Sequence, residues 1–400
     1  MDKNVEEAVQ KGSAGEVLKV FSKLGVTSFG GPIAHLGYFH DELVTRRKWL
    51  SEARYADLVA LCQFLPGPAS SQVGFALGLL RAGPLGALAA FVGFTLPSVL
   101  LLIAFAYSAS AFDGPIGIGL IHGLKLVAVA VVAQAVWGMA QNLCPDKPRA
   151  AIAIGALAVV SIATAATGQI LAILLGAVLG LIFCRQDGDA GQKHMVFPVT
   201  VPFAVLCLVL FALLLFGLPL IAKGFGLSVF DSFFRSGALV FGGGHVVLPL
   251  LEAEVVGSGW VNEATFLAGY GAAQAVPGPL FTFASFLGAS MAPGVEGLFY
   301  ALIASAGIFL PGFLLLIGAL PFWNTLGSRV EARAIMRGAN AAVVGILGAA
   351  LYSPVFTSAV LDKLDLAVAL AGFVLLVKWK MPPWVIVLLL GASGIVLQFI

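Results

Sequence analysis

The sequence predicts an all-α polytopic membrane protein made of two homologous halves in an inverted-topology repeat. Three observations predict it: an apolar composition, a set of motifs that occurs twice in one register, and opposite charge in equivalent loops. Of the 400 residues, 60% are hydrophobic and only 10% are charged, and the mean hydropathy is +1.02. Soluble domains are far more polar, so we expect the chain to be embedded in a bilayer.

The charge and the cysteines exclude several other classes of protein. A net charge of +2, spread along the chain, does not indicate a nucleic-acid partner. The first twenty residues have no apolar core like that of a signal peptide, so the N-terminus is expected in the cytoplasm. Each cysteine stands alone in or beside an apolar run, which favours small buried hydrophobes over metal ligands or disulfides. These are Cys62, Cys144, Cys184 and Cys207.

Internal repetition is the second observation. Phe29-Gly30-Gly31 recurs as Phe241-Gly242-Gly243, 212 positions later, and Pro66-Gly67-Pro68 recurs as Pro277-Gly278-Pro279, 211 positions later. The register continues through Leu96-Pro97 and Leu310-Pro311 and gives two copies of about 190 residues. The polar run from Arg185 to His194 is interpreted as an aqueous loop between them. The predicted division is residues 1–190 as the first repeat, 191–225 as a linker with a connecting transmembrane helix, and 226–400 as the second repeat.

Apolar runs predict the individual helices. Runs of spanning length lie at about 84–107, 119–141, 198–221, 296–321 and 338–360. Shorter paired runs lie near 150–184 and 366–400. Four further segments are interrupted by glycine or proline and are predicted to be broken helices: 18–39 at FGGP, 56–80 at LPGP, 226–250 at FGGG and 264–291 at VPGP.

The basic residues indicate how the helices are oriented. The loop after FGGP holds Arg46, Arg47, Lys48 and Arg54, whereas the equivalent loop of the second copy has three glutamates and no basic residue. The next loop reverses this bias, because its basic residues, Arg329, Arg333 and Arg337, are in the second copy. Cytoplasmic loops are enriched in Lys and Arg, so equivalent loops are expected on opposite sides of the membrane. This arrangement requires re-entrant hairpins at FGGP and LPGP, which we favour, or an even number of crossings.

The paired PGP motifs predict the substrate site. Broken backbone at membrane depth survives only where it lines a wet cavity or is buried in protein, and a helix that restarts after proline offers free N–H groups to an anion. A packing kink is the plainer interpretation of one such motif, but two in register, each preceded by a glutamine, favour a site at the repeat interface. The residues predicted here are Gln63, Pro66, Gly67, Pro68, Ser70, Ser71, Gln72, Gln274, Pro277, Gly278 and Pro279.

The FGG motifs and a few ionisable residues extend this site. Gly30, Gly31, Gly242 and Gly243 are interpreted as hinges or as parts of the same site. His35 and His245 lie nearby, either as anion-contacting or proton-titrating groups or as packing histidines. Lys125 lies in an apolar run and is predicted to contact substrate, with a lysine that reaches to the interface as the alternative.

Two residues are the predicted sites of proton coupling, and two arginines have another interpretation. Asp57 lies inside the LPGP segment, and His122 lies one helical turn from Lys125. Arg81 and Arg235 lie near segment ends and are interpreted as interfacial anchors, with contact to an anion as the alternative.

Missing motifs narrow the class of function. The chain has no phosphate-binding GxxxxGK[ST] loop, no HExxH and no GxSxG, so it is not expected to be an enzyme or to hold a cofactor or metal. A transporter driven by an ion gradient or by the membrane potential remains.

The motifs resemble those of the chromate ion transporter (CHR) family in its long, two-domain form. The resemblance is carried by FGGPIAHLGYFHDELVTRRKWLSE, LCQFLPGPASSQVGFALG and RAGPLGALAAFVGFTLPS in the first half and by FGGGHVVLPLLE and AAQAVPGPLFTFASFLG in the second. It implies a multi-pass inner-membrane protein that exports chromate and confers chromate resistance, with the proton-motive force or the membrane potential as its drive. An inside-negative potential favours export of an anion by about 2.3 kcal/mol per charge per 100 mV.

Two other classes of function stay open beside chromate export. A permease for another oxyanion such as sulfate shares the same charge and geometry, and a non-transporting membrane enzyme or sensor is the third reading. A homo-oligomer is also left open, because small-residue faces such as Ala172–Gly180 leave room for helix association.

Overall fold

The structure is a computed structural model that describes residues 11–109, 114–163, 166–185, 197–327 and 329–399. The predicted loop from Arg185 to His194 lies outside these residues except for Arg185 itself. The helices of the first half are α1 Ala14–Thr27, α2 Gly31–Phe39, α3 Glu52–Phe64, α4 Ala69–Ala109, α5 Pro115–Leu143, α6 Lys147–Ile162 and α7 Ala166–Phe183.

The second half repeats this order of helices after one additional helix, α8 Val201–Ile221. Its helices are α9 Phe225–Ala238, α10 Val247–Leu251, α11 Glu263–Ala273, α12 Phe283–Ser290, α13 Gly294–Ala319, α14 Trp323–Leu326, α15 Val330–Ala350, α16 Thr357–Ala359, α17 Lys363–Val377 and α18 Pro383–Leu397. In both halves a π-helical segment follows the second helix, at His40–Arg46 and at Glu252–Val256. The repeated motifs therefore fold into repeated elements.

The structure has a break at each of the four predicted positions. Helix α1 ends at Thr27 before Gly30, and α3 ends at Phe64 before Pro66. In the second half, α9 ends at Ala238 before the FGGG motif and α11 ends at Ala273 before the VPGP motif. Positive φ at glycine turns the chain at each break, as at Gly67 (117°) and Gly278 (99°).

Helix α4 bends sharply after its third turn. Ala82 and Gly83 have non-helical backbone angles, and the φ of Gly83 is 66°. A Cβ on Gly78 would overlap the carbonyl of Gly86, so the segment 69–81 folds back against the segment that begins at Pro84. The second half has the same hairpin in two separate helices, since a Cβ on Gly288 of α12 would lie 2.6 Å from the Cα of Ala301 of α13. The apolar run predicted at 84–107 is thus the second arm of a helical hairpin.

Six helical segments of the described chain are long and apolar enough to cross a bilayer. They are Ala69–Ser108, Pro115–Leu143, Ala166–Phe183, Val201–Ile221, Gly294–Phe322 and Val330–Ala359. Helix α8 is exposed along most of its apolar length, for example at Phe216 and Leu220. Exposed side chains of this kind are favourable only against lipid or another apolar surface, as in a multi-pass membrane protein.

In two places a helix of one half packs closely on a helix of the other half, with glycines at the contact. Helix α5 of the first half packs on α18 of the second, where a Cβ on Gly123 would lie 2.7 Å from the Cα of Gly391. Helix α15 of the second half packs on α7 of the first, where a Cβ on Gly180 would lie 2.6 Å from the Cα of Gly338. The small-residue face Ala172–Gly180 therefore serves helix association within the chain, and the possible homo-oligomer stays a prediction.

Candidate functional site

The PGP break of each half is hydrogen-bonded to the FGG break of the other half. The backbone N–H of Gly67 donates to the carbonyl of Val240, at 2.8 Å, and the N–H of Gly278 donates to the carbonyl of Ser28, at 2.9 Å. Val240 and Ser28 directly precede the two FGG motifs and occupy equivalent positions in the repeat. The four breaks therefore form one junction with an approximate two-fold relation, which we call the crossed junction.

Two further contacts complete the crossed junction. The two FGG motifs meet at equivalent positions, since a Cβ on Gly244 would lie 3.2 Å from the Cγ of Pro32. Each PGP glycine also lies against the residue that follows the mid-helix proline of the opposite half. A Cβ on Gly278 would lie 2.7 Å from the Oγ of Ser98, and a Cβ on Gly67 would lie 3.0 Å from the Cα of Gly312. Side chains larger than hydrogen do not fit at either PGP glycine without a shift of the opposite half.

Most polar side chains at the junction come from the first half. The ring Nδ1 of His35 lies 3.4 Å from the Oγ of Ser70, and the side-chain amide of Gln72 donates to the carbonyls of Pro66, at 3.1 Å, and Gly312, at 2.9 Å. Ser98 donates to the carbonyl of Thr95. All of these polar side chains are buried.

Several buried polar atoms in this region have no hydrogen-bond partner among the residues that the structure describes. They are Ser28 Oγ, His35 Nε2, Ser71 Oγ, Gln72 Oε1 and Thr95 Oγ1. An unpaired buried polar group costs about 1–3 kcal/mol, so proteins rarely keep several together without a ligand or water to satisfy them. These atoms are therefore candidates for direct contact with a polar substrate.

The equivalent positions of the second half are mostly apolar. Val240 stands where the first half has Ser28, Val247 where it has His35, and Phe309 where it has Thr95. Gln72 is matched by Phe283, and Thr282, matched with Ser71, donates to the carbonyl of Pro279 at 2.7 Å. The junction is thus two-fold in its backbone but one-sided in its side-chain donors.

Other predicted site residues lie beside the junction or away from it. Gln63 is exposed, and its counterpart Gln274 donates weakly to the carbonyl of Tyr270, at 3.4 Å. The ring of His245 is hydrogen-bonded to the hydroxyl of Tyr270, at 2.7 Å. Asp57 is half-buried on α3, two helical turns ahead of the LPGP break. Neither contact supports a direct role of the side chain in substrate binding, and the roles of all four residues stay predictions.

Lys125 and its counterpart Asn340 lie on the two exchanged helices α5 and α15. Lys125 is half-buried, and within the described chain it makes no hydrogen bond or ion pair. It follows Leu124, whose carbonyl lies directly against Gly271 of α11. The Oδ1 of Asn340 is buried without a partner among the described residues, 3.5 Å from the position of a Cβ on Gly242. The Asn340 side chain therefore lies beside the FGG motif of the second half, and the backbone next to Lys125 lies against α11.

Sequence reasoning missed the partner of His122. Its Nε2 lies 2.6 Å from the Oδ1 of Asp365, a buried carboxylate on α17 that also accepts from the backbone N–H of Leu361. The two residues are far apart in the sequence, and only the exchange of helices between halves brings them together. The pair fastens α17 to α5 and gives His122 a structural role beside the predicted one in proton coupling.

Sequence reasoning also missed Ser28, Thr95 and Ser98. A single serine or threonine in an apolar helix carries no signal of its own. The position of Ser98 directly after the repeated Leu96-Pro97 motif was the usable hint, because its counterpart Gly312 also contacts a PGP glycine. The described residues contain no group of three or more side chains suited to hold a metal ion.

Six apolar spans and a buried junction of broken helices, built from both halves, define a polytopic membrane transporter. A family model described as chromate transporter matches residues 15–181 and 227–395, which is once in each half. The chain therefore belongs to the chromate transporter family.

Similar proteins cover almost the whole chain. A chromate transport protein of Pseudomonas aeruginosa is 29% identical over 93% of this chain and 89% of its own length. A probable chromate transport protein of Synechococcus elongatus is 27% identical over 95% of each chain, and a chromate transport protein of Cupriavidus metallidurans is 27% identical over 91% of this chain and 88% of its own. No solved structure matches the chain.

Proposed function

We propose that the protein is a secondary transporter that exports chromate from the cytoplasm across the inner membrane and so confers chromate resistance. The proton-motive force or the membrane potential drives export. The observation that carries this proposal is the pair of reciprocal hydrogen bonds from Gly67 to Val240 and from Gly278 to Ser28. They join all four broken helices in one place, which is where repeat-built transporters bind substrate.

The chemistry of the junction suits a tetrahedral oxyanion. Helix α4 begins directly after Pro68, so its first N–H groups and the positive end of its dipole face the break. Unpaired hydroxyls of Ser28, Ser71 and Thr95 add donors from the first half. Four oxygens that carry two charges can accept from several such donors at once, and the half-buried Lys125 is the cation predicted to balance them.

The predicted inverted topology is part of this proposal. Helix α6 follows α5 after a connection of three residues, which reverses the direction of the chain. It runs parallel to α15, because successive contacts along α15, at Gly345 and Gly348, meet Ala153 and then Leu157. Equivalent helices α5 and α15 therefore run in opposite directions in this packing, which supports an inverted repeat.

The remaining parts of the prediction rest on the same arrangement. We propose re-entrant hairpins at the FGGP and LPGP breaks and a cytoplasmic N-terminus. The proposed division keeps residues 1–190 and 226–400 as the repeats, with α8 in the linker between them. Helix α8 is the odd element that allows the second half to begin on the other side of the membrane.

Sulfate is the substrate most easily confused with chromate, because both are tetrahedral dianions of similar size. The deciding experiment is chromate uptake into everted membrane vesicles, with sulfate and molybdate as competitors and with and without an uncoupler. Export of chromate predicts uptake that the uncoupler abolishes and that excess sulfate inhibits only weakly. Vesicles that accumulate sulfate but no chromate would overturn the proposed substrate, and vesicles that move neither anion would overturn the transport proposal.

A further inference from the structure

Each half of the molecule carries the same ion pair between its first helix and its π-helical segment. Lys23 of α1 binds Glu42 at 3.1 Å, and Arg235 of α9 binds Glu254 at 3.3 Å. Each residue of the second pair lies 212 positions after its counterpart in the first pair, the same spacing that separates the two FGG motifs. The pair fastens the segment that follows each FGG break to the helix that precedes it.

The two pairs differ sharply in their balance of charge. Glu42 also binds Arg47 at 2.9 Å and Arg46 at 3.5 Å, so three cations surround one carboxylate. Burial acts to raise the pKa of Glu42, but the hydrogen bonds and charges of Arg47 and Lys23 lower it below its ordinary value. This carboxylate stays ionised over the physiological range of pH.

In the second half, two carboxylates share one cation. A single nitrogen, Nη2 of Arg235, lies 2.8 Å from the Oδ2 of Asp231 and 3.3 Å from the Oε2 of Glu254. The hydroxyl of Ser232 donates to the same oxygen of Glu254, at 2.8 Å. The side chains of Asp231 and Glu254 are only 9% and 15% exposed, and no second cation of the described chain lies within ion-pair distance of them. The cluster therefore holds one excess negative charge in a partly desolvated position.

A small cavity adjoins this cluster. It is lined by Arg235, Glu254, Ser236 and Gln169, among others, and its volume of about 10 Å³ is on the order of a single water molecule. Ser236 Oγ and Arg235 Nε are both buried without a partner among the described residues, while the amide of Gln169 is taken up by the carbonyl of Pro249. Two unpaired polar atoms beside the carboxylates indicate a site that exchanges a small polar ligand.

Other charged groups near α9 do not compensate the excess charge. Helices α7, α8 and α10, which pack in this region, contain no charged residue. On α13, Glu296 accepts a hydrogen bond from Tyr300 at 2.7 Å. Glu252, on the π-helical segment itself, is a further carboxyl group, and its burial together with the charge of Glu263 raises its pKa.

We propose that Asp231 and Glu254 form a proton-binding site, in which the two carboxylates share one proton beside Arg235. Two like charges this close and this buried favour uptake of a proton by one of them. The proton comes from water at the cavity and returns to it, so only an O–H bond forms and breaks. This inference rests on the proposed transport function and identifies its coupling ion and the residues that carry it.

Protonation has a direct mechanical consequence at the crossed junction. A proton on the Asp231 and Glu254 pair weakens its hold on Arg235, which loosens the connection between α9 and the segment after Gly242-Gly243. The equivalent connection at Glu42 is held by three cations and does not respond. One of the two FGG breaks is therefore sensitive to pH and the other is not, so a proton gradient across the membrane acts on the second break alone.

Infrared difference spectroscopy on the purified protein tests proton binding without any transport. The wild type is expected to lose a protonated-carboxyl C=O band as the pH is raised. This band is expected to be absent from Asp231→Asn and Glu254→Gln and to persist in Glu252→Gln, a control on the same segment, and in Glu42→Gln, the control at the equivalent position. A wild type without a titrating band, or an unchanged band in both Asp231→Asn and Glu254→Gln, overturns the proposal.

Proteoliposomes supply the second measurement. In Asp231→Asn and Glu254→Gln, the stimulation of chromate transport by a pH gradient is expected to fall roughly tenfold. Chromate exchange at equal pH on both sides is expected to continue. Glu252→Gln is expected to keep both. A full response to the gradient in Glu254→Gln would contradict proton coupling at this site. If the infrared band titrates as expected but the wild type moves no chromate, the proposed substrate is wrong and the proton site stands.

Discussion

At the scale of single residues, the crossed junction is governed by two glycines that admit no side chain. The φ of Gly67 is 117°, and a Cβ there would lie 3.0 Å from the Cα of Gly312. At Gly278 the φ is 99°, and a Cβ there would lie 2.7 Å from the Oγ of Ser98. Both the backbone angle and the contact across halves thus require glycine.

Replacement of Gly67 by alanine is expected to abolish most transport. The left-handed backbone costs about 1–2 kcal/mol for an alanine, and the steric contact with Gly312 adds to it, so we expect a decrease of roughly tenfold or more in chromate transport. Pro66→Ala is expected to have the same effect by removing the break. The measurement is initial uptake at matched amounts of inserted protein.

Gly138→Ala is the matched control for this prediction. Gly138 lies within α5, and a Cβ there would meet no other atom within 4 Å. It is expected to transport normally. Full activity of both Gly67→Ala and Pro66→Ala would show that the LPGP motif serves packing alone.

The unpaired hydroxyls of Ser28 and Thr95 allow a separate test of substrate contact. Neither hydroxyl has a partner in the described chain, so Ser28→Ala and Thr95→Val remove no internal hydrogen bond and are expected not to lower the melting temperature. If the hydroxyls bind the oxyanion, each loss costs about 1 kcal/mol and raises the KM for chromate roughly fivefold. Ser161→Ala, at an exposed hydroxyl of α6, is the control and should change neither the melting temperature nor the KM for chromate. Unchanged KM values in both variants would remove these residues from the site.

At the scale of helices, the exchange between halves decides which residues meet. Sequence periodicity and proline positions were sufficient to predict the four breaks, because proline and positive-φ glycine act locally. The contact of His122 with Asp365 and the bond from Gly67 to Val240 were not predictable in this way. They depend on which helix of one half packs on which helix of the other, and an internal repeat establishes equivalence of positions but not contact.

The glycine crossing of α7 and α15 is expected to be a main source of stability. A Cβ on Gly338 would overlap the carbonyl of Gly176 and would lie 2.6 Å from the Cα of Gly180. Gly338→Ala therefore has to separate the two helices, at a cost of about 1–3 kcal/mol. We expect a melting temperature in detergent lower by roughly 5 °C. Gly155→Ala on α6, where a Cβ would meet nothing within 4 Å, is the control, and equal melting of the two variants would contradict this packing.

At the scale of the whole molecule, the two halves differ in chemistry more than in backbone. Most polar side chains of the junction come from the first half, for example Ser28, His35 and Ser71, whereas the cluster of two carboxylates around Arg235 lies in the second. If both proposals hold, the anion binds mainly to the first copy of the backbone and the proton to the second. The sequence alone predicted the polar side chains of the first half, from the serines after LPGP. The second part depends on Arg235, which was interpreted as an interfacial anchor and which the structure shows as the shared partner of Asp231 and Glu254.

The last prediction concerns the orientation of the two halves. Arg47 and Ser258 lie in equivalent connections after the π-helical segments, and both are exposed. An inverted repeat requires these connections to face opposite sides of the membrane, and the four native cysteines can first be replaced, since all are free. Arg47→Cys is then expected to react with an impermeant maleimide only in everted vesicles, and Ser258→Cys only in intact cells. Labelling of both from the same side would require parallel halves, in which α8 does not change the side on which the second half begins.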